Sequence, residues 1–235
     1  MNPITLNLVA IAIFLTTMLS LLGPLVHVTP ELLGITVAGL AGLIAVDRFG
    51  WQGLGGTLLI DWIAQQSPEY RQRIVQHEAG HFLTAHLLKI PVTDYYLSAW
   101  EAMRAGVPGS GGVQFDASDI EAQVEQGKLP AQQVDRYCTV WMAGIAAEEL
   151  LYGTAQGGSD DRLKVQGLWQ QIDRPPSEGP LKLRWSTLQA KTLLSKQEPA
   201  YQALVKAMQS GASVETCTEA IEAHRVQDSE AVLSE

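Results

Sequence analysis

Two long apolar runs open the chain. Ile4 to Leu22 is almost continuously apolar and is long enough to span the hydrocarbon core of a bilayer. Leu32 to Val46 is a second apolar run, which reaches a spanning length when it is counted back to Leu25. Residues 1–30 contain no Asp, Glu, Lys or Arg, a pattern typical of membrane segments. The two runs predict a two-helix membrane anchor over residues 1–47.

Each run has an alternative interpretation. The first run also fits a signal peptide, but its start lacks Lys and Arg and no clear small-x-small cleavage site follows, which favours a retained anchor. The second run fits a buried core helix, but Gly34, Ala38 and Gly42 recur every four residues, as in closely packed membrane helices. We therefore expect two spans.

The distribution of positive charge predicts the orientation of these spans. The turn from Gly23 to Glu31 has no Lys or Arg, whereas Arg48, Arg71 and Arg73 follow the second run. Positive charge near the end of a span marks the cytoplasmic side. We expect a hairpin with both termini on that side, which also places the rest of the chain there.

Helical periodicity dominates the remaining sequence. A connector over residues 48–66 contains Trp51 and Trp62, which we expect either at the membrane interface or packed beneath the following domain. An N-cap at Ser67 and apolar residues at helical spacing predict a helix as far as Ile90. Further helices are predicted at Ala131–Tyr152, from about Asp161, and at 181–195, 197–209 and 213–224.

Two short segments have strand character. Residues 91–99 and Gly112–Phe115 predict a small β-hairpin, with a loop over residues 101–112 between them. Residues 116–126 are polar and expected to be exposed, and residues 226–235 are expected to form a flexible tail. The sequence therefore predicts a mainly α fold, in which a transmembrane hairpin precedes an α-helical domain over residues 67–225.

Composition limits the classes of function. The chain has 235 residues and a net charge of -9, which disfavours nucleic-acid binding. Its two cysteines, Cys138 and Cys217, suit free, mostly buried thiols in a reducing compartment.

One motif carries chemistry: His77-Glu78-Ala79-Gly80-His81. Two imidazoles four residues apart lie one above the other on a single helical face, where they can share a metal ion. Glu78 lies beside the metal without binding it, where its carboxylate can take a proton from metal-bound water. The motif predicts a hydrolytic zinc site with Glu78 as its catalytic base.

A hydrolytic zinc site needs a third protein ligand. Glu148 and Glu149 are candidates on a predicted helix, and Asp160 and Asp161 are candidates where a glycine-rich loop meets a helix start. Spacing alone does not separate the two pairs. Two other histidines are poor candidates, because His86 is off the register of the motif and His224 is remote from it.

Three motifs in order resemble the peptidase domain of FtsH, a membrane-anchored, ATP-dependent zinc metalloprotease. They are His77–His81, Ala143–Gly153 and Gly157–Asp161, and the similarity covers residues 67 to 220. In that family the aspartate that ends the third motif binds zinc. The resemblance implies that Asp161 is the third ligand, with Asp160 as the alternative.

The resemblance also implies a zincin-like fold and further roles for individual residues. Apart from the resemblance, Glu148 or Glu149 is expected either to steady a ligand histidine through a hydrogen bond or to be a surface charge of its helix. The segment Gly112, Val113, Gln114 and Phe115 corresponds to an edge strand that pairs with an extended polypeptide substrate.

The family's nucleotide-hydrolysing module has no counterpart in this sequence. No Gly-x-x-x-x-Gly-Lys-Ser/Thr motif occurs, and only about 20 residues separate Val46 from Ser67. The chain looks most like short, motor-less relatives in photosynthetic membranes, so we expect a metalloendopeptidase that binds no nucleotide, in a plasma or thylakoid membrane. The alternative is a catalytically silent zinc-binding scaffold or adaptor that associates with FtsH-type proteases.

Overall fold

The described residues are mainly helical and include one two-stranded hairpin, as predicted. The computed structural model describes residues 3–107, 109, 111–116, 118 and 129–227. The helices are α1 (Pro3–Leu22), α2 (Pro30–Gly50), α3 (Leu54–Ala64), α4 (Pro68–Leu87), α5 (Ala99–Arg104), α6 (Ala131–Trp141), α7 (Ala143–Tyr152), α8 (Ser159–Gln171), α9 (Gly179–Lys196), α10 (Glu198–Gln209) and α11 (Val214–His224). The strands are β1 (Val92–Tyr96) and β2 (Gly112–Phe115), and 3-10 turns cover Gly23–Val26 and Pro176–Glu178.

The chain divides into two compact units. The first comprises Met1–Tyr70 and Ser98–Gly111, and the second comprises Arg71–Leu97 and Gly112–Glu235. The first unit thus contains the whole predicted connector over 48–66, together with α5, which packs against α3.

Two apolar helices form about half of the first unit. Both α1 and α2 are long and apolar enough to cross a membrane, and none of the residues in their apolar windows is buried. The α2 helix begins at an N-cap, where the Thr29 hydroxyl accepts a hydrogen bond from the Leu32 N–H at 3.3 Å, and Pro30 occupies the first turn.

Two further helices of the first unit correct the sequence interpretation. Half of the connector is helix α3, whose first N–H groups are capped by Asp47, a residue of the preceding helix. The predicted loop over residues 101–112 begins instead with α5, where the Ser98 hydroxyl accepts a hydrogen bond from the Glu101 N–H at 3.2 Å. The glycines around α3 are typical of a loop when only the sequence is considered, because Asp47, which caps the helix, is distant in sequence.

In the second unit, α4 lies between two apolar clusters. Phe82 belongs to a cluster with Leu204 of α10, and Ala85 belongs to another with Val140 of α6. The helix begins as predicted, since the Ser67 hydroxyl accepts a hydrogen bond from the Tyr70 N–H at 3.3 Å. Its central residues are therefore held in the interior of the unit.

The predicted hairpin is confirmed as an antiparallel pair. Tyr95 is opposite Val113 and Tyr96 is opposite Gly112, with an irregularity between Val92 and Asp94. Val113 is buried in the same apolar cluster as Phe82. This contact places β2 against the helix that carries the two histidines.

The single helix predicted over 131–152 is wrong, because the chain breaks at Met142 into α6 and α7. No proline or glycine marks the break. It lets α7 turn into close contact with α4: a Cβ added at Gly80 would lie 2.7 Å from the Ala143 carbonyl oxygen.

The later helices lie close to their predicted positions. Helix α8 begins at Ser159, and α9, α10 and α11 cover the three predicted C-terminal helices. Most of the polar segment predicted over residues 116–126 and most of the predicted tail over 226–235 lie outside the described residues.

Candidate metal centre

The two histidines of the motif lie side by side within α4. Both are buried, and their ring centroids are 4.8 Å apart. The four-residue spacing produces this arrangement, because residues i and i+4 of a helix lie on one face. Burial of two imidazoles among apolar side chains is unfavourable unless their nitrogens have partners.

Asp161 supplies the third buried group. Its Oδ2 atom lies 3.2 Å from His77 Nε2 and 3.3 Å from His81 Nε2. One ligand atom from each of the three residues lies within 4.8 Å of the others, an arrangement that could hold a metal ion. The start of α8 delivers this carboxylate after the Gly157-Gly158 turn.

The other candidate ligands lie elsewhere. Asp160 is exposed, and its Oδ1 atom accepts a hydrogen bond from the Ser159 hydroxyl at 3.2 Å. His86 Nε2 lies 2.5 Å from Glu222 Oε1. His224 Nδ1 lies 3.0 Å from the carbonyl oxygen of Ala220 in its own helix.

The second nitrogen of each histidine ring is also paired. His77 Nδ1 lies 2.8 Å from Glu148 Oε1, and His81 Nδ1 lies 2.7 Å from the Val140 carbonyl oxygen. A carbonyl only accepts, so His81 Nδ1 must carry the proton, and its Nε2 lone pair is free for a metal. Glu148 fixes the same tautomer in a neutral His77.

Glu148 is the centre of a buried polar network. Its carboxylate accepts hydrogen bonds from Arg73 Nη1 at 2.7 Å and from the backbone N–H groups of Gln156 at 2.9 Å and Gly157 at 3.1 Å. Only 1 % of Glu148 is exposed. The neighbouring Glu149 instead forms an ion pair with Lys191 at 2.8 Å. Of the two predicted glutamates, Glu148 is the one that contacts a histidine.

Charges and hydrogen bonds within this network shift the pKa values of its members. Burial alone would lower the pKa of His77, but hydrogen bonds to Asp161 and Glu148 and the nearby charge of Glu78 raise it to about 10. Burial would raise the pKa of Glu148, but the hydrogen bonds from His77, Gln156 and Arg73 hold it at about 2. Opposing its own burial, the two histidines hold the pKa of Asp161 far below its ordinary value.

Gly144 leaves the space beside the histidines open. A Cβ added at this position would overlap His77 Nε2 and lie 2.5 Å from His81 Nε2. A side chain here would therefore fill the volume that faces both ligand nitrogens. Gly157 is confined in the same way, since its Cβ would lie 2.9 Å from Glu148 Oε1.

Glu78 reaches from α4 to β2. Its Oε2 atom accepts a hydrogen bond from the Val113 N–H at 3.0 Å. Gly112 has a φ of 106°, and a Cβ at this position would lie 3.3 Å from the same Oε2 atom. The predicted catalytic base and the predicted substrate strand, Gly112–Phe115, are thus in direct contact.

Sequence reasoning missed two partners of the site. Arg73 lies four residues before His77 on the same helical face, and this spacing was a usable signal. The Val140 carbonyl left no side-chain signature. It is available because it lies in the last turn of α6, where carbonyl groups lack their regular partner.

No protein-family model matches the chain, and no curated protein sequence matches it.

Proposed function

We propose that the chain is a membrane-anchored zinc metalloendopeptidase that hydrolyses peptide bonds by metal-activated water, without an ATPase module in these 235 residues. One observation carries the proposal: Asp161 Oδ2 lies 3.2 Å and 3.3 Å from the Nε2 atoms of His77 and His81. Glu78 directly follows His77 on the helix that carries both histidines. The predicted zincin-like fold belongs to the same proposal.

The donor set favours zinc. Two neutral imidazoles and one carboxylate are typical of catalytic zinc, with a fourth position left for water. Bond lengths of about 2.0–2.1 Å in a tetrahedral site imply ligand atoms roughly 3.3 Å apart. The two distances to Asp161 Oδ2, 3.2 Å and 3.3 Å, agree with this spacing.

Each side chain then has a defined task. Bound zinc would lower the pKa of a water molecule to about 7 and polarise the substrate carbonyl. His77, His81 and Asp161 would hold the ion, and Glu148 keeps the His77 ring in one orientation through Nδ1. Glu78 accepts the proton of the water at its carboxylate and delivers it to the leaving amine.

The strand β2 is the proposed substrate-binding element. Among the described residues it pairs with β1, and the Val113 N–H points to Glu78. An extended polypeptide added along Gly112–Phe115 would lie beside the carboxylate that moves the proton. Backbone pairing of this kind accepts many sequences and suits an unfolded substrate.

The anchor places this activity at a membrane. The two N-terminal apolar helices can cross a bilayer. Arg48 at the end of the second helix, with Arg71 and Arg73 after it, favours a peptidase on the cytoplasmic or stromal side of a plasma or thylakoid membrane.

Glu78→Gln separates catalysis from metal binding. We expect the purified variant to retain stoichiometric zinc and to lose cleavage of an unfolded polypeptide such as casein. Cleavage that persisted in the variant would disprove the role of Glu78. Wild-type protein that held zinc but cleaved no substrate would favour the silent scaffold or adaptor.

A matched pair tests the third ligand. We expect Asp161→Ala to lose bound zinc and Asp160→Ala to retain it, because Asp160 is exposed and turned to Ser159. Equal zinc content in the two variants would contradict the proposed ligand set.

A further inference from the structure

Helix α3 is too short to cross a membrane and too apolar to face water. Its 11 residues, Leu54–Ala64, are apolar apart from the side chains of Thr57 and Asp61. At about 1.5 Å per residue a helix of this length covers roughly half of a hydrocarbon core of about 30 Å. An apolar run of this length fits either a buried core helix or an interfacial segment, and the exposure of Leu59 and Trp62 favours the second.

The polar side chains of this segment are turned to its own backbone. The carboxylate of Asp47 accepts hydrogen bonds from the N–H groups of Gly55 at 2.7 Å and Gly56 at 2.9 Å. Thr57 Oγ1 donates to the Gly53 carbonyl oxygen at 2.9 Å. Both groups bond the backbone at the N-terminal end of α3, which leaves aliphatic and aromatic side chains to face outward.

The Asp61 carboxylate also has a hydrogen-bond partner within the unit. Its Oδ2 atom accepts a hydrogen bond from the Ala99 N–H at 2.9 Å, which ties the start of α5 to α3. Burial raises the pKa of the Asp61 carboxyl despite this hydrogen bond. The contact brings Trp100, the next residue of α5, to the same part of the unit.

Most of the large apolar side chains exposed in this region are aromatic. Trp51 is 66 % exposed, Trp62 is 64 % exposed and Trp100 is 57 % exposed. Leu59 and Phe49 are exposed as well, and Leu59 shares a helical face with Trp62. These five residues are called the tryptophan surface below.

The location of this surface indicates what covers it. Helix α3 contacts both α1 and α2, and Trp51 caps the end of α2. The surface therefore continues directly from the two helices that can cross a membrane. Tryptophan is enriched at membrane–water interfaces because an indole ring has an apolar body and one N–H donor.

We propose that α3 and α5 lie in the headgroup region of the bilayer that α1 and α2 cross, with the tryptophan surface against phospholipid. The inference rests on the membrane anchor of the proposed function. Arg48 in the last turn of α2 and Arg104 in the last turn of α5 supply cations for lipid phosphate.

Spin labels on the full chain in phospholipid vesicles test the depth of the surface. Single cysteines replace Trp62 and Trp100, and the native thiols do not compete because Cys138 and Cys217 are buried. Label accessibility to oxygen, which partitions into lipid, is compared with accessibility to a water-soluble nickel chelate. Two control positions give the extremes of label accessibility. They are Leu40→Cys in α2 and Leu188→Cys, an exposed apolar position of α9.

We expect the labels at 62 and 100 to be several-fold less accessible to nickel than the label at 188, and less deep than the label at 40. If the labels at 62 and 100 were as accessible to nickel as the label at 188, the proposal would be wrong. A label at 40 that still lay deep in the bilayer would show that the anchor itself is intact. Low accessibility to both reagents would also overturn it, since it would show a protein contact. A label at 40 that was accessible to nickel would contradict the proposed membrane anchor, and the inference with it.

Discussion

The two units depart from the usual distribution of polar and apolar side chains in opposite directions. In the second unit, His77, Glu148 and Asp161 are buried among apolar residues. In the first unit, large aromatic side chains such as Trp62 are exposed while Asp47 turns to the backbone. Buried ionisable groups and exposed aromatic surfaces are both unfavourable without a partner. This is the distribution expected if, as proposed, the second unit holds a cation and the first unit contacts lipid.

The strongest test of the buried site is Gly144→Ala. We expect stoichiometric metal binding to be lost, because the added Cβ would overlap His77 Nε2 and crowd His81 Nε2. Bound zinc per chain, measured by mass spectrometry after dialysis, reports the loss.

Gly167→Ala is the matched control for that variant. Gly167 is an exposed residue of α8, and a Cβ there meets nothing within 4 Å. We expect unchanged zinc content and a helix stabilised by up to about 1 kcal/mol. Full zinc content in Gly144→Ala would show that the ion does not lie beside these histidines.

Glu148→Gln tests the network around the site with less disruption. We expect zinc affinity to fall by roughly 10–100-fold, because His77 loses the carboxylate that orients its ring. Competition with a chelator of known affinity measures the change. Glu149→Gln is the control, since Glu149 pairs with Lys191 rather than with a histidine, and equal effects in the two variants would contradict the assignment.

The pH dependence of zinc affinity follows from His77. Its pKa in the metal-free fold, about 10 against an ordinary 6.5, means that the protonated ring stabilises this fold fully below pH 6.5 and loses that contribution as pH rises toward 10. Zinc needs the neutral ring, so binding releases one proton and affinity rises about tenfold per pH unit across that window.

Calorimetry in buffers of different ionisation enthalpy counts the protons released. Glu148, with a pKa of about 2, stays ionised near neutral pH and adds none. Zinc affinity that did not change between pH 6.5 and 8 would contradict the raised pKa of His77 in the metal-free fold.

The sequence predicted the parts of the site that are close together along the chain. Helical spacing alone brings His77 and His81 to one face of the helix. Glu78 is the residue directly after His77, so its position next to the pair also follows from the sequence. Asp161 lies some eighty residues later, and its spacing did not distinguish it from Glu148. Only the order of the three motifs pointed to Asp161.

The features that escaped prediction depend on distant or backbone groups. The break at Met142 has no proline or glycine signal, because it follows from the approach of α7 to α4 at Gly80. The Val140 carbonyl carries no sequence signature. Helix α3 is capped from Asp47, eight and nine residues before the glycines that it contacts.

That cap gives the smallest expected effect, and it lies in the first unit. We expect Asp47→Ala to destabilise α3 by about 1 kcal/mol, because the N–H groups of Gly55 and Gly56 lose their acceptors. Thermal unfolding in phospholipid nanodiscs measures the change, and a spin label at position 62 should become more mobile. Asp47→Asn is the matched control: its amide retains one acceptor oxygen, so about half of the loss should return. If both variants left the label at 62 unchanged, lipid contact rather than the cap would hold α3 in place, and the exposed aromatic side chains would be the stronger determinant of this unit's structure.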